Sequence, residues 1–177
     1  MTKPKPHAPD VAALEQYLSS IGVDADKDPE YGLTAALLSE LLVERTAGLR
    51  TPEPSIAPLP YHGRSDEIVG MDAIHFYGLC PHHLVPYVGK AYVRIIPAER
   101  VAGAGALARA VRELALTPRL QETLTQALAD TIERDLGPRG LAVRIVARHF
   151  CMELKGSGPT ARLITEARRG APLPGRG

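Results

Sequence analysis

Cys80, His82, His83, His149 and Cys151 form the one dense set of soft and borderline metal ligands in this chain of 177 residues, which holds two cysteines and six histidines. Cys80 and His83 stand as Cys-x-x-His within FYGLCPHHLVPYVGK (76–90). That spacing makes a compact turn able to place both donors on one ion. Zinc takes thiolate and imidazole ligands tetrahedrally, and three protein ligands with one open position mark a catalytic site. Cys151 closes the set only if its strand lies beside the first. The spacing leaves zinc evenly matched against two buried free thiols, because cysteine is among the most commonly buried residues. A Cys–His nucleophile, with His82 or His149 as base, ranks lower because it leaves the second cysteine and a histidine without work. Adjacent side chains in an extended segment point in opposite directions, so His82 and His83 are not expected to bind one ion. His7, His62 and His75 are assigned no role.

These residues must be positioned by something, and the periodicity of the chain supplies it. Residues 1–9 read as a disordered arm with three prolines. Asp10 caps a helix over 11–20 with Val11, Leu14 and Leu18 on one face. A second helix is expected over about 30–47, with Gly48 as its stop. The proline-rich 50–66 reads as a linker. From 67 the pattern turns strand-like, and residues 90–99 alternate, with Ala91, Val93 and Ile95 on one face. Two strands joined by a turn near Pro86 to Gly89 are predicted. Two helices follow. Leu107, Val111 and Leu114 line the first, and Thr117-Pro118 is expected to start the second, striped by Leu120, Leu124, Leu128 and Ile132. Residues 141–154 read as the cleanest strand, with Leu141, Val143, Ile145, Ala147, His149 and Cys151 all facing one way if it is regular. A further strand is expected over 160–167, and residues 169–177 form a tail.

The order of elements is α+β, with a largely antiparallel sheet and two helices on one side, preceded by N-terminal helices; the catalytic domain is placed at 67–168. Strand edges must be paired or covered, so self-association is expected. The composition is that of a soluble globular protein, with 45% hydrophobic and 23% charged residues. A net charge of +1 gives no field to hold nucleic acid or an anionic membrane. No apolar run reaches about 18 residues, and the N-terminus has no signal-peptide pattern. A cytoplasmic location is expected, where a Cys80–Cys151 disulfide would not persist.

FYGLCPHHLVPYVGKAYVRIIP, GALARAV, LQETLTQALAD and HFCMELKG together resemble, in order and register, the GTP cyclohydrolase I family, over roughly 67–157. The resemblance implies the tunnelling fold, in which subunits pool their sheets into a barrel, and a toroidal homo-oligomer, typically a decamer of two pentamers. It implies zinc on Cys80, His83 and Cys151, with His82 and His149 as proton donors and acceptors. It places Glu122 on the guanine ring, with Gln121 beside it, and Arg109 and Lys155 toward the rest of the substrate. The implied reaction is attack on C8 of a guanine nucleotide and opening of its imidazole ring, followed in the full family reaction by formate loss and closure to a dihydropterin triphosphate. Zinc chemistry suits this, since the ion lowers the pKa of its water towards neutrality, and a histidine can protonate the ring nitrogen.

Several positions depart from the family pattern. Gly105 and Ala106 stand where serine and lysine are usual, Lys155 replaces an arginine, Pro81 a glutamate and Tyr31 an arginine. The losses gather at the phosphate and ribose end, while the zinc and guanine residues stay. Each charged contact to phosphate is worth about 1.5–3 kcal/mol. Two readings stand open: a substrate less phosphorylated than GTP, or replacement of the lost contacts by Arg112, Lys90 or arginines of the tail. A purine- or pterin-binding regulator without catalysis is the alternative function, and the intact metal set argues against it. A nitrile reductase of deazapurine biosynthesis, on the same fold, is disfavoured because it needs a cysteine nucleophile and no zinc.

Overall fold

The computed structural model describes residues 9–64, 67–156 and 161–173. The expectations for the N-terminal arm with His7, for part of the turn before the last strand and for the end of the tail lie outside the described residues. Four long strands make the main sheet: β2 (Val69–Leu79), β3 (Pro86–Ile96), β5 (Gly140–His149) and β6 (Arg162–Gly170). They pair in the order β2-β3-β5-β6, all antiparallel, so β2 and β6 are its edges. Two short strands, β1 (Pro58–Pro60) and β4 (Arg100–Ala102), pair separately. The helices are α1 (Val11–Ser20), α2 (Thr34–Arg45), α3 (Ala104–Leu114), α4 (Gln121–Leu136) and the short α5 (Phe150–Leu154).

The period-2 pattern sets the core face. Ala91, Val93 and Ile95 of β3, with Leu141, Val143, Ile145 and Ala147 of β5, are buried against Leu107, Val111 and Leu114 of α3 and Leu124, Leu128 and Ile132 of α4. The opposite face of the sheet carries His75, Lys90, Arg94, Arg144 and Arg148, all exposed. This is an α+β tunnelling-fold architecture with α3 and α4 on one side of the sheet. No helix of the described residues is long and apolar enough to cross a membrane.

Local expectations give way at four places. The link between β2 and β3 is not at Pro86 to Gly89, which lie inside β3, but at 80–85. Leu84 N–H donates to Cys80 C=O at 2.9 Å and Cys80 N–H to Val85 C=O at 3.0 Å, closing that loop, with Leu84 in the left-handed region at φ 51°. Helix α4 starts at Gln121, not at Thr117-Pro118. The 115–120 connection is held instead against the N-terminal segment, where Gly48 N–H donates to Leu116 C=O at 3.1 Å. A Cβ at Gly48 would run into Thr117, so this glycine serves a close approach rather than stopping a helix. The second N-terminal helix is accordingly shorter than expected, flanked by single turns at Pro29–Tyr31 and Ala47–Leu49. Finally, β5 ends at His149 and the chain coils into α5, so Cys151 does not continue the strand's inward row.

The linker is pinned by α4. Ile56, 1% exposed, donates its N–H to Asp135 Oδ2 at 2.7 Å. Arg134 hydrogen-bonds the same carboxylate at 2.7 and 3.1 Å and holds it below its usual range. A carboxyl depressed on folding stabilises fully above the unfolded pKa near 3.8, and that stability is lost as pH falls through the lower folded value. Asp135→Asn is expected to cost roughly 1 kcal/mol at neutral pH and to flatten the acid limb of stability. Thermal unfolding of both proteins between neutral and strongly acidic pH checks this; superimposable acid limbs would refute it.

Candidate metal centre and proton-transfer site

The 80–85 loop and α5 lie at one end of the sheet, because β2 hands over to β3 where antiparallel β5 finishes, with Leu79 opposite Pro86 and Tyr87 opposite His149. Helix α5 is held there by its own side chains. Glu153 reaches back to Arg148 at 2.7 Å, the Arg148 guanidinium lies 5.0 Å from the centre of the Phe150 ring, and Gly156 at φ 69° lets the chain leave. Cys151 is thereby carried to the loop. The ligand atoms of Cys80, His83 and Cys151 lie within 4.8 Å of one another, the one such cluster of three or more His, Cys, Asp or Glu among the described residues. Cys80 Sγ is 3.7 Å from His83 Nδ1. Burial, and then the neighbouring Cys80, push the Cys151 thiol up. Two thiols crowded this way resist ionising together unless a cation joins them.

The donor set, two sulfurs and one imidazole nitrogen, therefore fits a zinc ion, which would keep a position for water or substrate. One contact would have to change. His83 Nε2 lies 2.7 Å from Lys155 Nζ. A histidine that binds metal through Nδ1 carries hydrogen on Nε2 and seeks an acceptor there, so the Lys155 ammonium, a donor, would turn away. Lys155 is exposed and free to do so.

His82 and His83 share a turn, not an extended segment, which corrects the expected reason for their separation. Their rings lie 6.2 Å apart at 84°, and His82 is exposed, outside the metal cluster.

His149 is fixed on two sides. Its ring stacks on Tyr87, with centroids 4.7 Å apart and planes 7° from parallel, and its Nε2 lies 2.9 Å from Gln121 Oε1. Burial lowers its pKa and nearby Glu122 opposes the shift. Tyr87 itself is 1% exposed, and its hydroxyl donates to the Arg119 carbonyl at 3.2 Å while burial pushes its phenol up. Tyr87 was not among the residues the sequence singled out. The signal was present, because it shares the inward parity of Ala91, Val93 and Ile95.

The remaining candidates fall into two groups. Glu122 is exposed in the first turn of α4, close enough to His149 to act on its charge. Gln121 is wholly buried and turned inward behind His149. Arg109 lies on the exposed face of α3 with Glu113 at 4.0 Å; among the described residues no hydrogen bond or ion pair ties it to the cysteine and histidine cluster.

A tunnelling-fold protein with a Cys-His-Cys cluster at one end of its sheet is the class that fold and site define. The model of the GTP cyclohydrolase I family matches residues 11–172, and the chain belongs to that family. It is 42% identical over 164 residues to GTP cyclohydrolase 1 of Aquifex aeolicus, covering 89% of this chain and 84% of that one. It is 36% identical over 162 residues to GTP cyclohydrolase 1 of Lysinibacillus sphaericus, again over 89% and 84%. Among solved structures, the apo archaeosine synthase QueF-Like superposes with a TM-score of 0.52 at 15% identity, over 62% of this chain and 98% of that one. That likeness is one of fold.

Proposed function

We propose that this chain is a zinc-dependent cyclohydrolase that opens the imidazole ring of a guanine compound at C8. The observation that carries the proposal is the convergence of Cys80, His83 and Cys151 within 4.8 Å, at the sheet end where His149 is held. Zinc on these three residues would supply Lewis-acid activation of a water. His149 and His82 would move protons to and from the ring nitrogens as the C8–N bond breaks. Glu122 would accept hydrogen bonds from guanine N1–H and its 2-amino group, an arrangement adenine cannot satisfy. Arg109 and Lys155 would face the sugar and any phosphate. The protein would act in the cytoplasm as a homo-oligomer, a decamer of two pentamers. The two open edges β2 and β6, and the exposed Leu33, Leu37 and Leu41 of the N-terminal region, support self-association.

The substrate is proposed to be less phosphorylated than GTP. Gly105 is exposed and a Cβ there would meet nothing within 4 Å, so packing does not forbid the usual serine. Of the arginines near the tail that could replace lost phosphate contacts, Arg169 is already engaged by Asp130 and Gln126 at 2.7 Å each. Incubating zinc-loaded protein with GTP, GMP, guanosine and guanine, with formate and ultraviolet product assays, tests both levels. Neither formate nor an ultraviolet change from any of them ends the cyclohydrolase reading and favours a purine- or pterin-binding regulator. Normal turnover of GTP to a fluorescent pterin ends the substrate reading alone. The double variant Gly105→Ser, Ala106→Lys is expected to raise kcat/KM for GTP about 10- to 100-fold, the worth of one charge-assisted contact; no gain would place the specificity elsewhere.

A further inference from the structure

We infer that Gln121 is a positioning residue that holds His149 as the Nε2–H tautomer and so makes Nδ1 the nitrogen that exchanges a proton with the substrate. The inference rests on the cyclohydrolase reading for the word substrate, but its geometry stands apart from it. Amide orientation is usually ambiguous, because oxygen and nitrogen look alike. Here chemistry decides it. Gln121 Nε2 lies 3.1 Å from Ile145 C=O, 3.0 Å from Leu163 C=O and 3.1 Å from Thr165 Oγ1. Two of these partners are carbonyl oxygens, which only accept. The reversed amide would set oxygen against two oxygens inside a core where Gln121 has 0% exposure, an arrangement costing the full penalty of unpaired buried groups.

The third partner is oriented as well. Thr125 donates its hydroxyl to the Gln121 C=O at 2.8 Å, so the 2.6 Å contact between Thr125 and Thr165 takes its hydrogen from Thr165. Thr165 Oγ1 is then left to accept from the Gln121 amide. The two amide hydrogens serve three acceptors, one hydrogen being shared, and the ring of bonds runs from α4 to β6 and back. Oε1 of Gln121 therefore faces His149, and the imidazole nitrogen 2.9 Å away must carry a hydrogen. Tyr87 stacked on the ring blocks one face and resists rotation. With Nε2 committed, Nδ1 is the atom left to give or take a proton. Gln121 is consequently not a substrate ligand through its side chain.

Nitrogen magnetic resonance of zinc-loaded, full-length protein labelled at histidine tests this without any substrate, since protonated and bare ring nitrogens resonate far apart. The His149 signals are assigned by their loss in His149→Asn. The expected result is hydrogen on Nε2 of neutral His149 in the native protein, and mixed tautomers in Gln121→Met. Thr165→Val removes one anchor and should loosen the preference, and Thr165→Ser should restore it; this pair decides the matter if Gln121→Met fails to fold. On the substrate found active, Gln121→Met should lower kcat roughly 10- to 100-fold, the scale on which partners that orient a functional histidine act, with KM nearly unchanged. Hydrogen on Nδ1 in the native protein, or a tautomer unmoved by both variants, overturns the inference. So does a rise in KM with kcat intact, which would put the amide on the substrate. If no guanine compound is turned over, the cyclohydrolase reading fails while the tautomer result still judges the Gln121 assignment.

Discussion

Cys151→Ser is expected to empty the metal centre and reduce turnover by at least about 10²–10³-fold, the equivalent of several kcal/mol of lost charge stabilisation. A serine hydroxyl is too hard and too weakly acidic a donor to replace thiolate on zinc. The variant is informative because Cys151 stands outside the sheet, on α5, and is only half-buried. Its loss should leave the core of β3, β5, α3 and α4 untouched. Metal content of the purified protein, circular dichroism and turnover of the active guanine compound are the three measurements. The expected pattern is a folded, zinc-poor, inactive protein. Cys80→Ser should share the last two properties with some added instability, since Cys80 is 6% exposed. His82→Asn should keep its zinc. The pattern also separates the competing chemistries. Were Cys80 a nucleophile served by a histidine, Cys151→Ser would stay active with or without metal. Full zinc and full rate in Cys151→Ser would remove the centre from the mechanism.

The same two cysteines show how far the chain could be read before its structure. Cys-x-x-His brings its two donors together locally, because a short loop joins i and i+3 whatever surrounds it. Cys151 carries no such signal. Its meeting with Cys80 depends on β5 lying beside β3, and on α5 turning the chain at the right residue; the first is a long-range pairing and the second breaks the inward row that ran up to His149. The core was legible for the opposite reason. Alternation in 91–95 and 141–147 and the stripe of Leu124, Leu128 and Ile132 are periodic, and each buries the face its period dictates. The start of α1, capped by Asp10, was legible too, but that of α4 was not. Thr117-Pro118 is a sound local cap, yet the Gly48 to Leu116 bond holds those residues against the N-terminal segment. Gln121 is the sharpest case. The family resemblance set it beside Glu122 and the substrate. Only the approach of β6, bringing Leu163 and Thr165 over α4, shows an amide saturated inside the core.

His149→Asn is expected to lower kcat about 10²–10⁴-fold, the usual contribution of a positioned acid–base group, while the zinc content stays that of the native protein. The asparagine carboxamide takes the place of Nδ1 and stops short of Nε2, so Gln121 Oε1, the acceptor of the 2.9 Å contact, is left to water. The carboxamide cannot accept a proton and return it. Structural loss should be small, since the stacking of Tyr87 on a flat group is partly kept and Tyr87 is anchored independently through the Arg119 carbonyl. Burial already holds His149 below its ordinary pKa, with Glu122 pulling the other way. That shift favours the neutral imidazole, the form that can take a proton and pass it to a ring nitrogen of the substrate. A group with this duty lowers the barrier of ring opening rather than the free energy of binding, so KM should move little. Steady-state kinetics beside metal analysis separates the outcomes. A variant that keeps zinc but loses kcat assigns proton transfer to His149. A variant that loses zinc makes His149 a support of the metal centre, and one that keeps more than about a tenth of native kcat, where a positioned acid–base group contributes at least 10², leaves proton transfer to His82 or to solvent.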